Sequence, residues 1–132
     1  MARRLILDTG VLIAYERKSI DRSLLAADSV AIAAITVAEY RTGIELADSA
    51  GRAADRARAI AAITATVEVL EYTAATAAHH ARLLAHVRRS GRPRGAHDLI
   101  IAAHAVETGR DVVTLDAAAR FGELPGVVAF TP

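Results

Sequence analysis

The chain has 132 residues, 53% of them hydrophobic, and 16 Lys and Arg against 15 Asp and Glu give a formal net charge of +1. That length supports one core without staples, and the near-neutral balance excludes a binder that works through overall charge. With no cysteine there is neither a disulfide framework nor a thiolate metal site, and no apolar run is long enough to cross a bilayer.

The opening Met1-Ala2-Arg3-Arg4 leads directly into a strand over Arg4–Asp8, too short an apolar run for a signal peptide, which predicts a cytoplasmic protein. A helix is expected over Gly10–Arg17 and a second, short one over Asp21–Ala27 with Asp21 as N-cap. Val30–Ala33 reads as a buried strand leading into a helix from Thr36 to about Leu46. The stretch from Ala50 to about Thr64 is helical, with Arg52, Asp55, Arg56 and Arg58 on a solvated side and Ile60 and Ile63 opposite. Val67–Tyr72 alternates like a half-exposed strand, and Thr73–Arg89 is a long helix with Leu83, Leu84 and Val87 on its apolar side. Ser90–Gly95 is a loop broken by two glycines and a proline. Asp98–Thr108 is a helix ended by Gly109. Val112–Leu115 is a strand, Ala117–Phe121 a helical turn, and Val127–Phe130 an edge strand. Strands separated by crossover-length helices predict one domain over residues 1–132, an α/β/α sandwich around a central, mostly parallel sheet of about five strands.

Four carboxylates fall where such a fold places its ligand site, beyond the carboxyl ends of the strands. Asp8 closes the first strand and Asp116 follows Val112–Leu115. Glu39 lies in the helix after Val30–Ala33, and Asp98 opens a very apolar helix. Each has a structural explanation: Asp8 and Asp116 as N-caps, Asp98 as a dipole-stabilising acid, and Glu39 in a capping box with Thr36. Together they are explained once by a hard cation. Oxygen-only ligands suit Mg²⁺ or Mn²⁺, which can activate water and neutralise a phosphodiester's charge. His79, His80, His86, His97 and His104 show no zinc spacing with these acids. His97, beside Asp98, is in place to touch substrate but reads rather as a half-exposed residue at a helix start. The chain has no Gly-x-Ser-x-Gly turn and no Gly-rich phosphate loop, which argues against covalent acyl transfer and nucleoside triphosphate hydrolysis.

The segments Leu7-Asp8-Thr9-Gly10-Val11-Leu12-Ile13, Ile35–Ile44 around Glu39, Gly95–Ala105 around Asp98, and Val113-Thr114-Leu115-Asp116 resemble, in order and spacing, the four signature stretches of PIN-domain ribonucleases. More narrowly, the chain resembles the VapC-type toxins of prokaryotic toxin–antitoxin pairs. The resemblance implies a ribonuclease that uses Mg²⁺ or Mn²⁺, with Asp8, Glu39, Asp98 and Asp116 as catalytic acids. Of these, Asp8, Asp98 and Asp116 are the expected metal ligands, direct or through water, and Glu39 would hold a water or act as general base. Thr9 and Thr114 would support the acids. Gly10 stands where the family often has Ser. Ala118 stands where it often has a further Asp, which bears on a second metal and leaves one-metal chemistry intact.

Arg17, Arg41, Arg92, Arg94 and Arg120 are the candidates to guide RNA, with the loop pair Arg92 and Arg94 read as the freest. A genome rich in GC would give the same arginine bias without selection for binding. The toxin reading adds a cognate antitoxin and a homodimer as partners, no membrane, and DNA only through the antitoxin. Val11, Leu12, Ile13, Leu24, Leu25, Leu83, Leu84 and Val87 are the apolar candidates for those contacts. The alternatives are a housekeeping RNA-processing nuclease, an aspartate-based phosphotransfer or phosphatase domain, and a non-catalytic binding module. Gly10, in place of a second Asp, argues against the phosphatase, and Lys18 as the only lysine argues against a receiver.

Overall fold

The computed structural model describes residues 2–18, 21, 23 and 25–132. Strand β1 (Arg4–Leu7) runs through the centre and is followed by helix α1 (Thr9–Glu16). Next come β2 (Ser29–Ala33), α2 (Ala34–Glu45) and α3 (Ala50–Thr66), then β3 (Glu68–Leu70), α4 (Ala74–Ser90) and α5 (Ala96–Thr108). Strand β4 (Asp111–Val113), two 3-10 turns over Ala117–Ala119 and Phe121–Glu123, and β5 (Ala129–Phe130) complete the chain. The five strands form one sheet in the order β3-β2-β1-β4-β5, and every pair is parallel. Among the described residues no helix is long and apolar enough to cross a membrane.

The side-chain alternation of the short strands builds two cores. Ile6, Ala31, Ala33 and Val112 point to one face, where Leu83 of α4, Leu99 and Ile101 of α5, and Phe121 cover them. Leu5, Leu7, Ile32 and Val113 point to the other, under Val11 and Leu12 of α1, Tyr40 of α2, and Ile60 and Ile63 of α3. The register sets Ile6 beside Ala31 and Val112, so small and branched residues interlock across the central three strands. A sheet buried on both faces explains why its strands read as continuous apolar runs.

Several expected boundaries move. Helix α2 starts at Ala34, two residues before Thr36, with Ala33 as an N-cap that makes no side-chain bond. Ala34 and Ile35 form the added first positions, and alanine there carries no propensity cost. The Thr36–Glu39 capping box therefore does not form: Thr36 is fully buried and its hydroxyl has no hydrogen-bond partner among the described residues. The expected strand over Val67–Tyr72 contracts to three residues, and Thr73 caps α4 in a reciprocal box with Thr76. The expected helix over Asp21–Ala27 includes Arg22 and Leu24, which lie outside the described residues. Several of the apolar residues read as available for partners are taken up by the fold. Val11, Leu12, Leu25 and Leu83 are buried core, and Ile13, Leu84 and Val87 pack against it; Leu24 is again outside the described residues.

Candidate active site

The cleft lies at the carboxyl ends of β1, β2 and β4. Its volume is about 440 Å³, and Asp8, Thr9, Gly10, Glu39, Asp98, Ile101, Leu115 and Asp116 line it. All four acids singled out in the sequence therefore face one space. Three of them reach it by different local devices. Asp8 follows β1 directly and is 7% exposed. Its Oδ1 accepts the Val11 amide at 3.1 Å, capping α1, and its Oδ2 accepts the Thr114 hydroxyl at 2.6 Å. The same Thr114 oxygen accepts the Asp116 amide at 2.9 Å, so one threonine ties the ends of β1 and β4 together. Asp116 in turn caps the first 3-10 turn through the Ala118 amide at 3.0 Å. Glu39 stands on the second turn of α2, and its Oε1 accepts the Thr9 hydroxyl at 3.0 Å.

Asp98 differs from the other three. It sits in the first turn of α5 and takes no hydrogen bond from the described residues. Its carboxyl pKa is pushed up, first by burial and then by the charges of Asp8, Asp116 and Glu39, with His97 acting weakly the other way. Burial without donors, next to like charges, is unfavourable for an anion, and a cation relieves it. Gly95 makes the close packing here possible. A Cβ on that glycine would lie 2.9 Å from Asp98 Oδ2, nearer than real contacts allow.

The expectation that Asp8, Asp98 and Asp116 jointly ligate an ion directly meets a limit. Among the described residues no group of three or more His, Cys, Asp or Glu side chains is placed to hold a metal ion by itself. The donor set still fits Mg²⁺, which takes one or two carboxylates and fills its other positions with water and substrate oxygens.

Of the basic candidates, Arg94 is the one whose reading changes most. Far from being free, its side chain is 7% exposed. It donates to the carbonyls of Ala119 at 2.7 Å and Arg120 at 2.6 Å and pairs with Glu123 at 3.3 Å. Arg120 holds φ at 50°, a left-handed conformation that costs a non-glycine residue about 1–2 kcal/mol. Arg94 thus clamps the strained turn behind Asp116. Arg17, Arg41, Arg92 and Arg120 are exposed. Sequence reasoning missed the steric role of Gly95, which no local pattern signals. His97 is the half-exposed helix-start residue that the sequence predicts, but its contact with the site is new: its Nδ1 lies 3.3 Å from Glu39 Oε1. The only signal for His97 is its position beside Asp98.

The PIN-domain family model matches residues 5–125. The chain belongs to the PIN-domain family. Among curated relatives, this PIN domain is 36% identical over 112 residues to "Ribonuclease VapC5" of Mycobacterium tuberculosis, covering 84% of this chain and 82% of that protein. It is 32% identical over 94 residues to "tRNA(fMet)-specific endonuclease VapC" of Shigella flexneri, covering 71% and 69%. The toxin–antitoxin complex VapBC-5 of M. tuberculosis superposes with a TM-score of 0.79 at 31% identity over 96% of this chain and 97% of that one. VapBC2 of Rickettsia felis bound to promoter DNA, at 21% identity and a TM-score of 0.84 over 97% and 98%, shares the fold.

Proposed function

We propose that this PIN domain is a metal-dependent ribonuclease acting as the toxin of a type II toxin–antitoxin pair. The observation that carries the reading is the convergence of Asp8, Glu39, Asp98 and Asp116 on one cleft, in a chain that matches named ribonucleases over most of its length. Asp8 and Asp98 would hold Mg²⁺ or Mn²⁺, and Asp116 would complete the site. When bound, the cation neutralises charge on the phosphate and on the leaving oxygen.

The chain's own residues supply orientation and proton transfer. Thr114 fixes Asp8 and the start of the Asp116 turn through one hydroxyl, leaving the carboxylates little freedom to reorient. Thr9 anchors Oε1 of Glu39, and Oε2 has no hydrogen-bond partner among the described residues. That oxygen is the base: it takes a proton as water adds to phosphorus, and the P–O bond opposite breaks, its alkoxide taking a proton from solvent. Exposed Arg17, Arg41, Arg92 and Arg120 provide the phosphate contacts; each one lost should lower the salt slope of RNA binding by roughly one. Arg94 is assigned instead to holding the Asp116 turn. The antitoxin partner follows from the neighbouring structures, which are toxin–antitoxin complexes, some of them on DNA. A homodimer and a cytoplasmic location complete the reading.

The test uses the purified chain, first on initiator tRNA, the substrate in the Shigella relative's name. With Mg²⁺ it should cleave RNA, and Asp98→Asn should lower the rate by roughly 10²–10³-fold. The melting temperature should rise with Mg²⁺ in the wild type, since a ligand bound only by the folded state stabilises it by mass action, and rise less in Asp98→Asn. Cleavage undiminished in Asp98→Asn overturns the reading.

A further inference from the structure

The geometry points to His97 as a positioning residue that, with Thr9, fixes the Glu39 carboxylate for the cleavage reaction. The inference rests on the assignment of Glu39 as the base. Glu39 projects from α2, Thr9 opens α1, and His97 opens α5, so three elements that are distant in sequence meet at one carboxylate. Both neighbours address the same oxygen. Oε1 accepts from Thr9 Oγ1 at 3.0 Å and lies 3.3 Å from His97 Nδ1. Hydrogen bonds at catalytic groups are often long before substrate arrives and tighten when it binds.

A glutamate has three rotatable bonds, and one hydroxyl contact leaves its carboxylate free to swivel about Oε1. A second donor on the same oxygen, from another helix, takes its other in-plane lone pair, and the two directions together set the plane of the group and with it the position of Oε2, the oxygen that must meet the attacking water. This needs only a proton on Nδ1, which the Nδ1–H neutral tautomer and the imidazolium both carry. Packing does not account for the residue: the His97 side chain is 50% exposed and belongs to neither core. Nor does the helix require it, since Gly95 is the N-cap and makes no side-chain bond there.

Steady-state cleavage by the full chain with Mg²⁺ tests this. His97→Ala should lower kcat about tenfold, as loss of an orienting partner does, with KM within about twofold and an unchanged melting temperature. His97→Asn, whose amide nitrogen can replace Nδ1 as a neutral donor, should restore kcat to within about threefold of wild type, and Thr9→Val should follow His97→Ala. A loss confined to KM that Asn does not restore would make His97 a phosphate contact and overturn the positioning role. So would full kcat in His97→Ala. Glu39→Gln separates the two assignments: if it is inactive while His97→Ala is fully active, this inference alone fails, whereas an active Glu39→Gln removes the base assignment itself.

Discussion

At the amino-terminal edge of the sheet the charges are paired, and at the carboxyl-terminal edge they are crowded with their own kind. Arg110 enters just before β4 with a side chain only 3% exposed. It donates to the carbonyls of Leu5 at 3.2 Å and Ser29 at 3.1 Å and to Glu68 at 2.9 Å, spanning the starts of three strands. Arg3 forks onto both oxygens of Asp28 at 3.2 and 2.8 Å, and Arg4 reaches the Thr108 carbonyl at 3.0 Å. At the opposite edge, about 440 Å³ of cleft is lined by four carboxylates and, among the described residues, no arginine. One edge uses charge to close the fold. The other leaves four acids without a basic partner in the cleft, and a cation would relieve their repulsion. Placement by strand end, and not composition, separates stability from chemistry in this chain.

If that division is right, the two edges should respond oppositely to mutation, and the largest effect is on Arg110. Arg110→Ala strips a donor from two carbonyls and leaves a void at the strand starts, costing about 2–3 kcal/mol by denaturant unfolding, while kcat of the folded fraction stays unchanged. Arg110→Met should recover part of the loss, because the Nε atom has no hydrogen-bond partner among the described residues and a buried charge is costly. Asp98→Asn should do the reverse: raise the metal-free melting temperature while removing cleavage. Asp8→Ala should lose both, since Asp8 also caps α1, a contribution of about 1 kcal/mol. A metal-free melting temperature that falls in Asp98→Asn would break the contrast.

How much of this the sequence discloses depends on the range of the interaction. Strand ends are legible because the runs Leu5-Ile6-Leu7 and Val112-Val113 are continuous and apolar and stop close to an acid, so Asp8 and Asp116 stand out. Asp98 is legible from its place before Leu99-Ile100-Ile101. Thr36 and Glu39 mislead, because the capping-box pattern is local and does not register that Ala34 and Ile35 can already be helical. The helix begins at Ala34, Thr36 turns inward, and Glu39 is left for the cleft. Arg94 misleads for the opposite reason. A loop flanked by glycines reads as free, but its partners at Ala119, Arg120 and Glu123 lie 25 to 29 residues on. Contacts between separate loops leave no period to find.

Gly95 offers a finer test of the crowded edge. Its φ of −60° and ψ of 135° are open to any residue, so Gly95→Ala should change stability by less than about 0.5 kcal/mol. The new methyl would still meet the Asp98 carboxylate at 2.9 Å and turn it away from its neighbours, so kcat should fall about tenfold. Gly10 is the control. A Cβ there meets Asp8 Oδ1 at 3.6 Å, ordinary contact, so Gly10→Ser should retain activity. Equal losses in both variants would mean that steric placement of Asp98 is not what Gly95 provides.

The smallest effect concerns acid, which should act with opposite signs at the cleft and in the middle of the fold. Asp98 has its pKa raised in the folded state, so between that value and the ordinary carboxylate range the folded chain binds more protons than the unfolded, and lowering pH there relieves the cleft. His104 on α5 is 1% exposed, and neither ring nitrogen makes a hydrogen bond among the described residues; burial pushes its pKa below 6.5 despite the opposing pull of Glu107, 3.9 Å from Nδ1. Here the unfolded chain binds the extra proton. Stability is complete above about 6.5 and is lost as pH falls below it, by at most about 1.4 kcal/mol per pH unit. Melting curves of wild type and His104→Gln from neutral to mildly acid pH should therefore diverge, with wild type losing ground below the ordinary histidine range and the variant holding. Parallel curves would place the acid sensitivity elsewhere. A divergence that vanishes in Asp98→Asn would move it to the cleft, against the separation of roles on which the comparison of the two edges depends.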